Sequence, residues 1–249
     1  MLTLDSEILY QTIFKRKSIR KYDSAPLDEK TMERVRSEVA ALKPMIPEIK
    51  TEFRYLGTED VKGMFKAEAP HYLAIYSEEK PGFAANAGFL LEQMDLFFSA
   101  MGIGCCWLGG SKPNKKAAPV DGLEYVIMLA FGKPTEELQR KSAAEFKRKP
   151  LAEISDVKGA DELLEAVRTA PSGINNQSWY YRGDAGKIDA YYAKSMLTDQ
   201  MNQTNVGIGL CCLWLSAMHQ NKQVELVYEA SSETKAPKGH KYVISAKLQ

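Results

Sequence analysis

The chain repeats itself. Ser99-Ala100-Met101 returns as Ser216-Ala217-Met218 and Tyr125-Val126-Ile127 returns as Tyr242-Val243-Ile244, both 117 positions later. Asn86-x-Gly88 has a counterpart in Asn205-x-Gly207, 119 positions on, and Pro26-Leu27-x-Glu29 has one in Pro150-Leu151-x-Glu153, 124 positions on. One such match is within the reach of chance. Four in the same order along 249 residues, with a slowly drifting offset, imply a duplication with small insertions. The halves are expected at 1–142 and 143–249, joined within the charged stretch Glu136 to Lys149.

Local patterns support that layout. Asp5 or Ser6 caps a helix carrying Leu9 and Ile13, and Asp28 caps a second with Met32, Val35 and Val39 at helical spacing, closed by Pro44 and Pro47. Phe53 to Leu56 and Tyr72 to Tyr76 read as strands, Phe83 to Met101 as a long buried helix, and Tyr125 to Phe131 as a continuous apolar strand. The second half follows with a helix over Asp161 to Thr169, strands near Trp179 to Arg182 and Ile188 to Ala193, a helix over Asn205 to His219, and strands at Val224 to Tyr228 and Tyr242 to Lys247. Helices and strands mixed throughout predict an α+β sandwich.

Composition excludes several classes of function. With 33 basic and 32 acidic residues the net charge is +1, so no global field favours nucleic acid or an anionic membrane, and an anion site has to be local. The apolar stretches around Phe89 to Trp107 and Val206 to Met218 are interrupted by charge or too short to span a bilayer. The N-terminus, with Asp5 and Glu7, is unlike a secretory signal, and a soluble cytoplasmic protein is expected. Cys105-Cys106 and Cys211-Cys212 have neither zinc nor redox spacing and read as buried thiols. His71, His219 and His240 are scattered, so no metal site is expected.

Four segments stand out chemically. Arg16-Lys17-Ser18-Ile19-Arg20 presents two guanidinium forks with a hydroxyl between them, and Lys147-Arg148-Lys149-Pro150-Leu151 adds another basic run. Pro171-Ser172-Gly173-Ile174-Asn175-Asn176-Gln177-Ser178-Trp179 is a loop rich in amides, which offer donor and acceptor together. Leu108-Gly109-Gly110 follows the long helix and leaves backbone amides open to close approach. Taken singly these would be a solvated basic turn, a polar loop and a tight turn.

Together they resemble the signature of the FMN-dependent nitroreductase family, and the resemblance covers nearly the whole chain. It implies a nitroreductase-like α/β/α sandwich, here as two fused pseudo-repeats imitating the family's dimer, with one complete pocket at their junction. It implies that Arg16, Lys17, Ser18, Arg20 and Arg148 hold the FMN phosphate and ring edge. Pro171, Ser172, Gly173, Asn175 and Gln177 would meet the pyrimidine edge, with Asn175 the main candidate, and Leu108, Gly109 and Gly110 the reactive side. Ser178 stands where the family has proline, and Trp179 reads as core. The implied reaction is a ping-pong exchange: NAD(P)H gives hydride to the flavin, and an electron-poor acceptor such as a nitroaromatic or quinone takes the electrons. No catalytic side chain is required, because the cofactor carries the chemistry. A monomer or weak homodimer is expected.

Two other enzyme classes fit poorly. Gly207-Ile208-Gly209 lacks the third glycine of a dinucleotide fingerprint, with Cys212 in its place, and Ser172 lacks the surroundings of a hydrolase nucleophile. The rival reading is a non-catalytic or degenerate flavin-binding protein.

Overall fold

The structure is a computed structural model that describes residues 4–63, 67–114 and 120–249. Asp5 accepts from Glu7 N and opens α1 (Ser6–Ile13), and Asp28 accepts from Thr31 N at 2.9 Å and opens α2 (Glu29–Ala41). Strands β1 (Thr51–Leu56), β2 (Val61–Gly63) and β3 (His71–Ser77) lead to α3 (Phe83–Ala100), followed by β4 (Gly104–Leu108), β5 (Ser111–Pro113) and β6 (Glu124–Gly132). The second half runs α4 (Leu151–Ile154), α5 (Asp161–Thr169), β7 (Trp179–Asp184), β8 (Lys187–Ala193), α6 (Asp199–His219), β9 (Val224–Val227), α7 (Ala230–Glu233) and β10 (His240–Leu248).

Two four-stranded antiparallel sheets have matching topology. The first is ordered β1-β3-β6-β4 and the second β7-β8-β10-β9, so each places its last strand in sequence third. Their irregularities match as well. Between β3 and β6 the register skips Val126, and between β8 and β10 it skips Val243. Each skipped valine is the centre of a repeated Tyr-Val-Ile, so the repeated tripeptide carries a bulge in both halves.

Helices α3 and α6 lie between the sheets, α3 against the first and α6 against the second. Sixteen of the eighteen α3 residues are buried, which is why apolar residues occur on all its sides rather than along one face. Leu73, Ile75, Ile127, Leu129 and Phe131 of the first sheet and Ile188, Ala190, Ile244 and Ala246 of the second join the helices in one core. The opposite face of the first sheet is also covered, with Tyr72, Ala74, Met128 and Ala130 in a second cluster. Burial on both faces explains the unbroken apolar run in β6. Among the described residues no helix is long and apolar enough to cross a membrane.

Two differences from the sequence reading concern the site. The helix expected from Asn205 begins at Asp199, because Asn202 and Thr204 in its polar first turns are buried and hydrogen-bonded rather than solvated. Gly104 to Leu108, read only as a glycine-rich approach to Gly109, is a strand paired with β6. Its small residues admit the N-terminal segment. A Cβ at Gly104 would lie 2.8 Å from Ile19 Cγ2.

Candidate functional site

The first basic run is pinned across β4. Ile19 N donates to Cys105 O at 2.8 Å, the Ile19 side chain is fully buried, and Tyr22 Oη donates back to Ile19 O. Ser18 and Arg20 are left facing a groove between the halves. Arg16 turns inward: its Nε lies 3.2 Å from Asp95 Oδ2 on α3, and its Nη2 donates to Ser18 Oγ. Asp95 also accepts from Trp107 Nε1 at 2.8 Å. Burial would lower the Arg16 pKa, but the adjacent Asp95 carboxylate leads the charges that outweigh burial and raise it. Glu92 is itself fully buried; desolvation, and after it the Asp95 charge, raise its pKa well above the carboxylate range.

A second basic segment meets the first. Arg140 N donates to Lys15 O at 2.8 Å, its guanidinium donates to Arg16 O, and Gln139 pairs with Arg16 as an antiparallel bridge. Arg148 closes the C-terminal end of α5, with Nε donating to Ala170 O at 3.1 Å and Nη2 to Thr169 O at 3.2 Å. The Phe146 ring lies under both guanidiniums, 4.1 Å from that of Arg140 and 5.6 Å from that of Arg148. Burial first, and then the charges of Arg140, Arg16 and Arg168, depress the Arg148 pKa to about 10.

Lys17, Ser18, Arg20, Arg140, Lys147 and Arg148 are among the residues facing one cavity of about 470 Å³. The carboxylates at its rim are engaged elsewhere. Glu136 accepts from the backbone of Arg20 and Lys21, and Glu145 from that of Lys141 and Ser142. Among the described residues the Arg20 side chain makes no hydrogen bond or ion pair, and neither Arg140 nor Arg148 has a carboxylate partner. Guanidiniums clustered without a direct carboxylate partner have the chemistry to bind an anion, with Glu136 and Glu145 as the acidic groups on the same rim.

The cavity adjoins a narrower chamber of about 250 Å³, sharing Ser18, Arg20, Pro171 and Ser172 with it. One wall is Trp107, Gly109, Gly110 and Ile127, and the other is the loop after α5 with Met201, Thr204, Asn205 and Ile208 of α6. A Cβ on Gly109 would meet no atom within 4 Å, so no protein group fills the space before it. The loop is held from beneath. Gly173 N donates to Asn205 Oδ1 at 2.9 Å, while Asn205 Nδ2 donates to Asn176 Oδ1 and Ser178 Oγ. Ile174, Asn175 and Gln177 take positive φ of 50°, 57° and 44°. Left-handed backbone at a β-branched residue is strained, and such strain gathers where a ligand is held. Beyond Gly110 the chamber opens into a further space of about 600 Å³, lined in part by Lys112, Tyr125, Leu197 and Gln200.

The structure therefore brings most of the expected residues to one groove: Lys17, Ser18, Arg20, Arg148, Gly109, Gly110, Pro171, Ser172 and Gly173 all line it. Arg16 borders its basic end from a buried position. Asn175 lies at that basic end as well, with its amide donating to Lys147 O and accepting from Arg148 Nη1. Gln177 is buried, accepting from Lys149 N and donating to Arg168 O, and so shapes the loop. The Leu108 side chain packs in the second apolar cluster. Trp179 is core, as expected.

Sequence reasoning passed over Arg140 and Asn205. Both carried a signal: Arg140-Lys141-Ser142 repeats Arg16-Lys17-Ser18 at the 124-position offset of the Pro-Leu pair, and Asn205 belongs to a repeated Asn-x-Gly. Burial raises the pKa of all four cysteines, which are free thiols, and among the described residues no group of ligating side chains could hold a metal.

The sequence profile of a family described as "Putative TM nitroreductase" matches residues 8–217. Among solved structures, the chain is similar to a "putative nitroreductase" from Thermotoga maritima at 18% identity and a TM-score of 0.65, covering 96% of this chain and 92% of that one. It is also similar to an FMN-dependent nitroreductase from Clostridium difficile R20291 at 14% identity and a TM-score of 0.45, covering 57% of this chain and 98% of that one. No curated protein sequence matches the chain.

Proposed function

Because the chain belongs to this nitroreductase family, we propose that its groove holds FMN and that the protein is an NAD(P)H-dependent flavin oxidoreductase acting on electron-poor acceptors such as nitroaromatics or quinones. The observation that carries the reading is the cluster of Arg20, Arg140 and Arg148, without carboxylate partners, at one end of a chamber whose other end is the open backbone of Gly109-Gly110. Bound there, the flavin would supply hydride acceptance and delivery in two successive half-reactions, the donor leaving before the acceptor arrives.

The chain's own tasks are binding, orientation and exclusion of water. Arg20, Arg140 and Arg148, with Lys17 and Lys147, provide charge for a phosphate. Three charge-assisted hydrogen bonds of roughly 1.5–3 kcal/mol each are of the size a micromolar site needs, about 8 kcal/mol. Asn205 holds the loop from Pro171 to Gly173 against the chamber, and Trp107, Ile127, Met201 and Ile208 keep it largely apolar. Arg16 supports Ser18 from behind. We name no catalytic residue. Within the same reading the chain is two fused halves; matching Arg140-Lys141-Ser142 to Arg16-Lys17-Ser18 moves the join from the expected 142/143 boundary to just ahead of Arg140. One chain then supplies both walls of the groove, and a monomer suffices.

The test is FMN titration of the purified protein, followed by NADH and NADPH oxidation with menadione and with a nitrofuran as acceptors. Saturable FMN binding with acceptor-dependent oxidation supports the proposal. Binding without turnover reduces it to a flavin carrier, and absence of binding overturns it.

A further inference from the structure

A second cavity between the halves lies where the repeat would place the counterpart of the flavin chamber. It measures about 720 Å³ and lies between the turn after α2, at Met45 to Glu48, and the edge formed by β9 and β10. The elements correspond. Ile46 N donates to Asn86 Oδ1 at 2.9 Å as Gly173 N does to Asn205 Oδ1, and Ile244 lines this cavity as Ile127 lines the chamber. Tyr228 follows β9 where Gly109 follows β4.

The chemistry is reversed. No lysine or arginine lines this cavity, whereas Glu48 and Glu233 do. The basic triplet that the repeat would assign to it, Arg140-Lys141-Ser142, lies against Arg16 at the other site. Lys80 donates to Glu48 O but is ion-paired with Glu78 and is not among the lining residues. The Tyr228 ring, 61% exposed, stands at the rim with its hydroxyl on Glu233, and the Tyr242 ring is 5.4 Å away at 53°, which makes an aromatic corner. Apolar walls complete it with Ile46, Leu226 and Ile244.

We propose that this cavity is a second ligand site and that it takes a flat organic cation. Its volume is that of a small-molecule pocket. Ring faces and carboxylates together favour a cation and reject a phosphorylated flavin.

The experiment is equilibrium dialysis of the full chain, saturated with FMN, against proflavine as a flat cation and acridone as a neutral molecule of similar shape. One saturable proflavine site is expected. Tyr228→Ala should weaken it by about fivefold, the change that loss of one cation–π contact carries. Glu233→Gln should weaken proflavine but leave acridone unaffected. Both residues are exposed, so these variants test binding rather than folding. Absence of saturable binding, or proflavine affinity indifferent to both substitutions, overturns the proposal. Failure of FMN itself to bind would remove the flavin reading and leave this one standing.

Discussion

Gly88 and Gly207 face each other's helix at a single reciprocal crossing. A Cβ on Gly88 would lie 2.2 Å from Thr204 O, and one on Gly207 would lie 1.8 Å from Ala85 O. Each contact is the other displaced by 119 positions, so α3 and α6 meet as two copies of one surface would. With no room for a methyl group against backbone, either helix must move to admit one. Gly207→Ala and Gly88→Ala are each expected to destabilise the protein by about 3 kcal/mol. Urea denaturation of the purified variants measures this, and near-native midpoints would refute the crossing.

Arg20 and Arg148 should separate binding from stability. The Arg20 side chain makes no hydrogen bond or ion pair among the described residues, so Arg20→Ala should weaken FMN binding by roughly 1.5–3 kcal/mol while the ligand-free melting temperature stays near that of the parent. Arg148 also closes α5 through Thr169 O and Ala170 O, so Arg148→Ala should lower both. Paired FMN titrations and thermal melts check this. Equal stability losses in the two variants would contradict it.

Inorganic phosphate should stabilise the ligand-free protein. Buried among Arg140, Arg16 and Arg168, Arg148 is held with its pKa depressed to about 10, so the folded state carries unfavourable like-charge proximity at neutral pH. An anion in that cavity relieves it and raises the melting temperature by mass action. The rise should be lost in Arg140→Ala. Chloride at equal ionic strength is the control, and an equal rise with chloride would show screening instead.

Glu92 sets a pH dependence. Unfolded, it ionises near its ordinary value of 4.5; folded, burial keeps the proton on to higher pH. The folded state therefore binds more protons across that window, and stability falls as pH rises through it. Glu92→Gln is neutral throughout and escapes the loss. Its melting temperature should exceed the parent's by a margin that widens as pH rises above the unfolded value of 4.5. A margin independent of pH would place the cause elsewhere.

Ile174 holds a left-handed conformation, φ 50° and ψ 18°, with its side chain 85% exposed. A left-handed residue with a Cβ costs roughly 1–2 kcal/mol, and glycine's own entropy returns part of that. Ile174→Gly should stabilise the ligand-free protein by about 1 kcal/mol, as read by chemical denaturation. Destabilisation would mean that the side chain contributes packing its exposure does not suggest.

Most elements were legible because their causes are local. Asp28 caps α2 whatever surrounds it, the buried run in α3 is mostly apolar with no single polar face, and Tyr125 to Phe131 reads as strand from β-branched and aromatic content. The start of α6 was not, because Asp199 to Thr204 are mostly polar and only neighbours such as Ala193 O, which accepts from Asn202 Nδ2, make the burial of Asn202 tolerable. β4 was not, since nothing local in Gly104-Cys105-Cys106 distinguishes a strand paired with β6 from a glycine-rich loop.

By itself the order of residues determined that this chain is doubled, that it mixes helices with strands, and that it carries basic runs and an amide loop suited to one ligand. Which of those groups face that ligand was decided only in three dimensions. Arg16 and Arg20 belong to the same motif, yet Asp95, far along the chain, draws Arg16 into the core while the Arg20 side chain has no ion pair among the described residues. Arg140 arrives beside them from a distant segment. A guanidinium's availability depends on the counter-charges folding brings within a few ångströms of it, and that distance is a property of the packed molecule rather than of the motif.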